Sequence, residues 1–247
     1  MVDNTYSRIL LKLSGESLKG DKEYGLDIDV LNFISKQIAS LQMMGLEIGI
    51  VIGGGNIWRG VDYENIGMDR STADSAGMLA TIMNALSLQD SLESIDVNVR
   101  TQSSINVPSV AEPYIRRRAI RHMEKGRVVI FAGGTGNPFM STDTAAALKA
   151  LEIGAEVLVM AKNNVDWVYN SDPMINDDAV KYNSITHYDA LSKKLNVLDS
   201  TALSLCMDNN LPIIVFNIFH DGNIHRICRG EKIGTIISSD WSFKWSV

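Results

Sequence analysis

Cysteine is scarce in this sequence: Cys206 and Cys228 are the two present among 247 residues, beside four histidines. Neither cysteine stands in a CxxC spacing, so a thiolate zinc site is excluded. Both fall in helix-like patterns, where buried reduced thiols are expected, and that suits a cytoplasmic setting. No histidine is paired in sequence with a Ser or Cys nucleophile, so His122, His187, His220 and His225 read as surface or structural residues. Long apolar runs are also missing. None approaches the roughly 18 residues of a membrane span, and the opening MVDNTYSRILLKLSG has no basic stretch leading into an apolar one, so neither signal peptide nor membrane partner is expected. Cations are in the minority, 23 Lys and Arg against 29 Asp and Glu. An acidic chain argues against direct nucleic-acid binding, which needs clustered positive charge. Several signatures are absent as well. There is no GxxxxGKS or GxxxxGKT of a P-loop kinase, and no strand followed by GxGxxG as in a nicotinamide dehydrogenase. GxSxG and HExxH do not occur either.

What is present alternates. Apolar runs rich in Val and Ile occupy 9–13, 46–52, 97–101, 128–131, 157–161, 213–216 and 235–237. Continuous runs of this kind suit strands buried on both faces of a parallel sheet. Helical spacing lies between them. Leu31, Ile34, Ile38 and Leu41 form one face, with Gly45 as a stop. Residues 78–88 form another, Pro113 is read as the start of a third, and Ser141 as the cap of a fourth. Helices are also expected at 199–209 and 221–229. The β-α-β-α order predicts an α/β fold, a mostly parallel sheet covered by helices on both sides. No repeat, low-complexity stretch or linker divides it. A single domain over 1–247 is expected, with two lobes, a polar excursion with short hairpin or turn elements at 166–189, and an irregular tail at 239–247 that carries two tryptophans.

Three glycine loops follow predicted strands: KLSGES at 12–17, GGGNIWRG at 53–60 and GGTGNPFMSTD at 133–143. Ligands of parallel sheets bind where strands end and helices begin. Glycines let backbone N–H groups approach an anion, and helix N-termini favour negative charge. Lys12 and Arg59 add full charges. Taken singly, each loop is as readily a plain turn as a phosphate cradle; three at strand ends, two with a cation nearby, favour phosphate. The chemistry that remains is phosphoryl transfer, which needs positioning and charge neutralisation more than a covalent nucleophile.

These residues resemble the bacterial UMP kinase (uridylate kinase) family of the amino acid kinase superfamily. The resemblance runs from residue 9 to about 238. It rests on LLKLSGESL, VIGGGNIWRG, GMDRSTADSAGMLATIMNAL, GTGNPFMSTDTAA, MAKNNVDWVYNSDP and GTII, in the family's order and near its usual spacings. It implies a three-layer αβα sandwich, Mg²⁺-dependent phosphorylation of UMP by ATP, and a homohexamer activated by GTP and inhibited by UTP. The lobes would then be a UMP side, about 1–155, and an ATP side, 156–240. By the same resemblance Lys12, Leu13, Ser14, Gly15, Gly55, Arg59, Asn163, Tyr169 and Asp172 face ATP. Gly54, Asp74, Thr135, Gly136, Asn137, Pro138, Phe139, Met140, Ser141 and Thr142 face UMP. Lys12, Arg59 and Asp143 form the catalytic set, with Asp143 orienting the lysine. No metal ligand is assigned to the protein, since Mg²⁺ would be held by phosphate oxygens and water.

Plainer readings of the same residues stay open at this level. Asp74, three residues after Ser71, and Asp143, after Ser141, both read equally as first-turn acids of helices. Tyr169 alone reads as a core aromatic, Asp172 before Pro173 as a turn residue, and Lys162 either as a solvated cation or as a group reaching the transferring phosphoryl. No general base is expected, because a phosphate acceptor is already ionised near neutral pH. One position departs from the family: Trp167 stands where a glycine is usual after Val165 and Asp166. A tryptophan there would be strained if the backbone needed positive φ. The segment Gly20, Asp21, Lys22, Glu23, Tyr24 and Gly25 aligns with one the family uses in GTP activation; by itself it is a polar loop. Arg116, Arg117, Arg118, Arg121 and Arg127 make either a solvated helix face or part of an effector site. The rival functions are a related kinase with a carboxylate or carbamate acceptor, and a non-catalytic nucleotide sensor or storage protein.

Overall fold

The computed structural model describes residues 4–60, 67–163, 166–171, 175–176, 178–195 and 198–239. Asp172 and the tail beyond Ser239 therefore lie outside the described residues. The strands are β1 Arg8–Leu13, β2 Glu47–Ile52, β3 Val99–Ser103, β4 Glu112–Pro113, β5 Val128–Ala132, β6 Val157–Lys162, β7 Val168–Tyr169, β8 Lys181–Tyr182, β9 Ser184–Thr186, β10 Ile213–Asn217 and β11 Thr235–Ser238. Nine of them form one sheet in the order β4-β3-β5-β2-β1-β6-β10-β11-β9. Every pairing in it is parallel except β10 with β11. β7 and β8 make the separate hairpin of the polar excursion.

The helices are α1 Ile28–Met43, α2 Arg70–Glu93, α3 Arg116–Met123, α4 Thr142–Ile153, α5 His187–Ser192, α6 Ser200–Asp208 and α7 Asn223–Cys228. They cover both faces, giving the expected αβα layers. The strand residues alternate between two cores. Ile9, Leu11 and Leu13 of β1 pack in one with α1, α2 and α7, while Leu10 packs in the other with α4 and α6. In β6, Val157, Val159 and Ala161 take the first side, and Leu158 and Met160 the second. This is why the central strands need apolar runs: both faces of β1 and of β6 are buried.

Caps fix the helix starts that matter. Ser141 accepts from Thr144 N at the head of α4, Asp199 from Ala202 N at the head of α6, and Asp69 from Thr72 N at the head of α2. Gly45 takes φ +82° after α1, as a stop should. Two expectations are corrected. Pro113 does not open a helix: it closes the short β4, and α3 begins at Arg116. Asp74 is not a first-turn acid, because α2 begins at Arg70 and Asp69 performs the capping.

Candidate active site

The C-terminal ends of β1, β2 and β5 sit side by side, so their three loops meet at one edge of the sheet. The first two loops are pressed together backbone to backbone. A Cβ on Gly15 would lie 2.7 Å from Gly55 N and 2.8 Å from Gly53 O, and one on Gly53 would lie 2.9 Å from Gly15 N. A Cβ on Gly54 would strike α2, at 2.9 Å from Gly77 O and from Ala80 Cβ. Thus two of the three glycines in GGG clear space for the protein's own backbone, which amends the reading of them as room for phosphate alone. At Gly55 the nearest atom is Glu16 Oε1, at 3.3 Å on a flexible side chain. The third loop needs glycine for its turns: Gly133, Gly134 and Gly136 have φ of +75°, +56° and +81°.

Lys12 follows Leu10, and Lys162 follows Met160, onto the face covered by α4. There Lys12 Nζ meets Asp143 Oδ1 at 2.8 Å. Lys12 is 8% exposed, so its charge is nearly desolvated. Asp143 is a first-turn acid of α4 and also the partner of this lysine; the two readings hold together. Burial pushes the Lys162 ammonium below the usual lysine range, the nearby Asp143 opposes that, and Lys12 adds to it. Lys162 is therefore a half-buried member of the cluster, not a fully solvated cation.

Arg59 lies outside this cluster. Its guanidinium pairs with Glu16 at 2.5 Å, and Lys19 approaches the other oxygen of Glu16 at 3.0 Å. Burial raises the Glu16 pKa, but its hydrogen bonds and charge interactions with Arg59 and Lys19 outweigh that and hold it below the ordinary carboxylate value.

A cleft of about 260 Å³ opens between the β2 loop, the start of α2 and the loop after β5. Of the residues expected around UMP, Gly54, Asp74, Asn137, Phe139, Met140, Ser141 and Thr142 line it. Thr135, Gly136 and Pro138 belong to the same loop but not to its wall, and Thr135 Oγ1 accepts from Asn137 N at 3.2 Å. Gly55, expected on the ATP side, also borders this cleft, as do Trp58, Arg70 and Thr81. Asp74 holds the cleft's two sides together. It accepts from Arg70 Nε at 2.9 and 3.0 Å, and from Phe139 N at 2.8 Å. Phe139 takes φ +65°, a costly conformation for a non-glycine residue.

Asn163 follows β6 and its Oδ1 accepts from Ser17 Oγ, which ties the loop after β6 to the first glycine loop. Tyr169 pairs with Lys181 across the β7–β8 hairpin. Trp167 does not have positive φ, so its replacement of a glycine brings no backbone strain; Lys181 Nζ lies 4.3 Å from its ring centre. The segment from Gly20 to Gly25 lies between the short 3₁₀ helix Gly15–Lys19 and α1. Gly25 N donates to Asn56 O at 2.8 Å, so this segment touches the GGG loop. Among the described residues no group of three or more His, Cys, Asp or Glu is placed to hold a metal ion. Asp143, the acid nearest Lys12, is engaged by that lysine.

The amino acid kinase family model matches residues 7–217. The chain belongs to the amino acid kinase family. Among solved structures this family member is similar to the UMP kinase of Bacillus anthracis, with 42% identity over 95% of this chain and 97% of that one, and a TM-score of 0.93. It is similar also to the UMP kinase of Ureaplasma parvum, with 39% identity over 94% and 98%, and a TM-score of 0.88. The fold and the kinase class read from the sequence stand with these likenesses. Sequence reasoning passed over Asn56, Asn84, Glu16 and Asp199. Asn56, directly after the glycines, was the most visible of these; Asn84 lies mid-helix and carried no local signal. Asp199 accepts from Ser141 Oγ and from Thr144 Oγ1, so one carboxylate caps α6 and braces the start of α4.

Proposed function

We propose that the protein is a UMP kinase, moving the γ-phosphoryl group of ATP onto UMP to give UDP and ADP for pyrimidine nucleotide synthesis. The observation that carries this is the Lys12–Asp143 pair at the meeting point of three glycine loops, beside a cleft walled by Gly54, Asp74 and Thr142. In this reading the cleft takes UMP, with Asp74 accepting from ribose hydroxyls and residues 135–142 around base and phosphate. ATP lies across the β1 and β2 loops, over Lys12, Leu13, Ser14, Gly15, Gly55 and Arg59, with Asn163, Tyr169 and Asp172 toward its nucleoside. Two phosphate groups a few ångströms apart repel by several kcal/mol even at an effective dielectric of about 20. Lys12, Arg59 and Lys162 offset that repulsion. Asp143 holds Lys12 in place through their ion pair. ATP arrives as its Mg²⁺ complex, and the ion further offsets phosphate charge. The acceptor oxygen is already ionised, so alignment suffices and no base is needed.

Assembly and regulation extend the same reading. Leu79 and Met83, one turn apart on α2, are 51% and 56% exposed, an apolar strip suited to burial against another copy in a homohexamer. Glu112 is ringed by Arg100, Arg118 and His122 at 3.9, 4.0 and 3.3 Å, a cation-rich neighbourhood suited to GTP or UTP at a subunit boundary. The segment from Gly20 to Gly25 would relay GTP activation. A cytoplasmic location fits the reduced Cys206 and Cys228.

The test is a coupled assay of ADP release with ATP and UMP, CMP or N-acetylglutamate as acceptor, with and without GTP, beside Lys12→Ala. UMP-dependent turnover that Lys12→Ala abolishes is expected. Turnover with N-acetylglutamate but not UMP would transfer the protein to the carboxylate kinases, and ATP binding without turnover to the sensors.

A further inference from the structure

Three consecutive glycines cannot fix their own loop. They carry no side chains to pack, and each has more backbone freedom than any other residue. Order at 53–55 must come from elsewhere. Beneath the loop lie two buried asparagines, Asn56 at 3% and Asn84 at 0% exposure. Asn84 Nδ2 donates to Gly53 O at 2.7 Å and to Asn56 Oδ1 at 2.7 Å. Asn56 Nδ2 donates to Asn84 Oδ1 at 3.1 Å and to Gly25 O at 2.7 Å. All four amide hydrogens are used. The orientation of both amides is dictated, because each Nδ2 faces a backbone carbonyl that can only accept. Asn56 Oδ1 also sits 2.7 Å from where a Cβ of Gly15 would stand.

We infer that the Asn56–Asn84 amide pair is the positioning device of the phosphoryl-transfer site. It rests on the reading of this edge as that site. Through Asn56 the pair ties the GGG loop to Gly25, in the segment that follows the Gly15–Lys19 turn, with Asn56 Oδ1 close against Gly15; through Asn84 it ties the loop to α2, which carries Asp74. The two substrates of the proposed reaction are held by those two sides. Their relative placement therefore passes through one reciprocal hydrogen-bonded joint, set where water cannot substitute for a lost bond. A loosened joint still lets each nucleotide bind, since the glycine amides can order around phosphate on contact. What it loses is the in-line geometry, and a misplacement of about 1 Å costs on the order of 100-fold in rate.

Asn84→Asp tests this. It keeps size and shape while removing both donors and setting an oxygen against Gly53 O and Asn56 Oδ1. Its kcat for UMP is expected to fall about 10- to 100-fold, with the KM values for ATP and UMP within about 3-fold of wild type. The control is Ser91→Ala, also on α2, which breaks the buried 2.8 Å contact of Ser91 with Ser35 of α1. It lowers the melting temperature but leaves kcat unchanged. Full kcat in folded Asn84→Asp, an equal kcat loss in Ser91→Ala, or a loss that tracks only the folded fraction overturns the inference. Hydrogen exchange on the unmodified chain decides the matter even where Asn84→Asp does not fold. The amides of Gly53, Ile57 and Trp58, which donate to Leu13 O and Gly54 O, exchange as slowly as those of β1 if the pair holds the loop, and rapid exchange at those three overturns it. A wild-type chain that transfers nothing from ATP to UMP defeats the functional reading instead, and the exchange experiment then judges the pair alone.

Discussion

Lys12 Nζ and Asp143 Oδ1 stand 2.8 Å apart, joining the sheet's β1 to the first turn of α4. The strand ends and the helix begins at this one pair, so the cation is aimed by a carboxylate that the helix dipole itself favours at that place.

Breaking the pair from the acidic side has two separable effects. Asp143→Asn leaves an 8% exposed lysine without its counter-charge, and a broken buried pair costs about 3 kcal/mol. Thermal unfolding should register that loss. The freed ammonium also loses its direction, and kcat should fall about 100- to 1,000-fold, the scale of a lost transition-state donor. Near-wild-type turnover by Asp143→Asn in the coupled assay would remove Asp143 from the catalytic set.

Asp74 has a different job, and its variant should have a different signature. Its carboxylate binds Arg70 and Phe139 N across the cleft. In the proposed complex it also receives ribose hydroxyls. Asp74→Asn removes charge-assisted bonds worth about 1.5–3 kcal/mol each. The KM for UMP should rise by at least about 10-fold, while the KM for ATP stays put. An equal rise for both nucleotides would show that Asp74 shapes the whole edge instead of the acceptor cleft.

Much of this was legible from residues alone, and the misses have physical causes. Six of the seven long strands were visible because strands buried on both faces are mostly apolar; β3 carries Arg100, Thr101, Gln102 and Ser103 and was marked by Val97 and Val99 alone, and all seven lie within two residues of their expected bounds. β4, β7, β8 and β9 are two or three residues long, too short for any period to register. Pro113 misled because proline suits a strand's edge as well as a helix's first turn. Asp74 misled because Asp69, not Ser71, took the cap. The loops announced themselves by their glycines, but not which way the missing side chains would have pointed. The Asn56–Asn84 joint was beyond reach, since two polar residues 28 positions apart become partners only after β2 and α2 are packed.

Glu16 gives the edge a pH dependence. Its folded pKa lies below the ordinary carboxylate value because Arg59 and Lys19 outweigh the effect of burial. A depressed carboxylate pKa contributes stability above the unfolded value, and that contribution is lost as pH falls through the folded one. Glu16→Gln should therefore be less stable than wild type near neutrality, and the difference should shrink as pH drops below the ordinary carboxylate range. Melting curves collected from pH 7 downward check this. A difference that stays constant through the acid range would mean the ion pairs with Arg59 and Lys19 contribute nothing to stability.

The adjacent glycines of the second loop should part company when each receives a methyl group. At Gly54 the new Cβ lies 2.9 Å from Gly77 O and Ala80 Cβ and 3.1 Å from Thr81 N, all parts of α2. The helix has to move off the sheet edge, and overpacking of that kind costs about 1–3 kcal/mol. Gly54→Ala should thus melt lower and lose activity together, since Asp74 rides on the displaced helix. At Gly55 the nearest atom is 3.3 Å away on the Glu16 side chain, which can swing aside. Gly55→Ala should keep its melting temperature. If its amide lies against the ATP phosphates, the added methyl should still raise the KM for ATP several-fold. Unchanged kinetics in a stable Gly55→Ala would mean that the third glycine, like the first two, serves the packing of the chain and not the nucleotide.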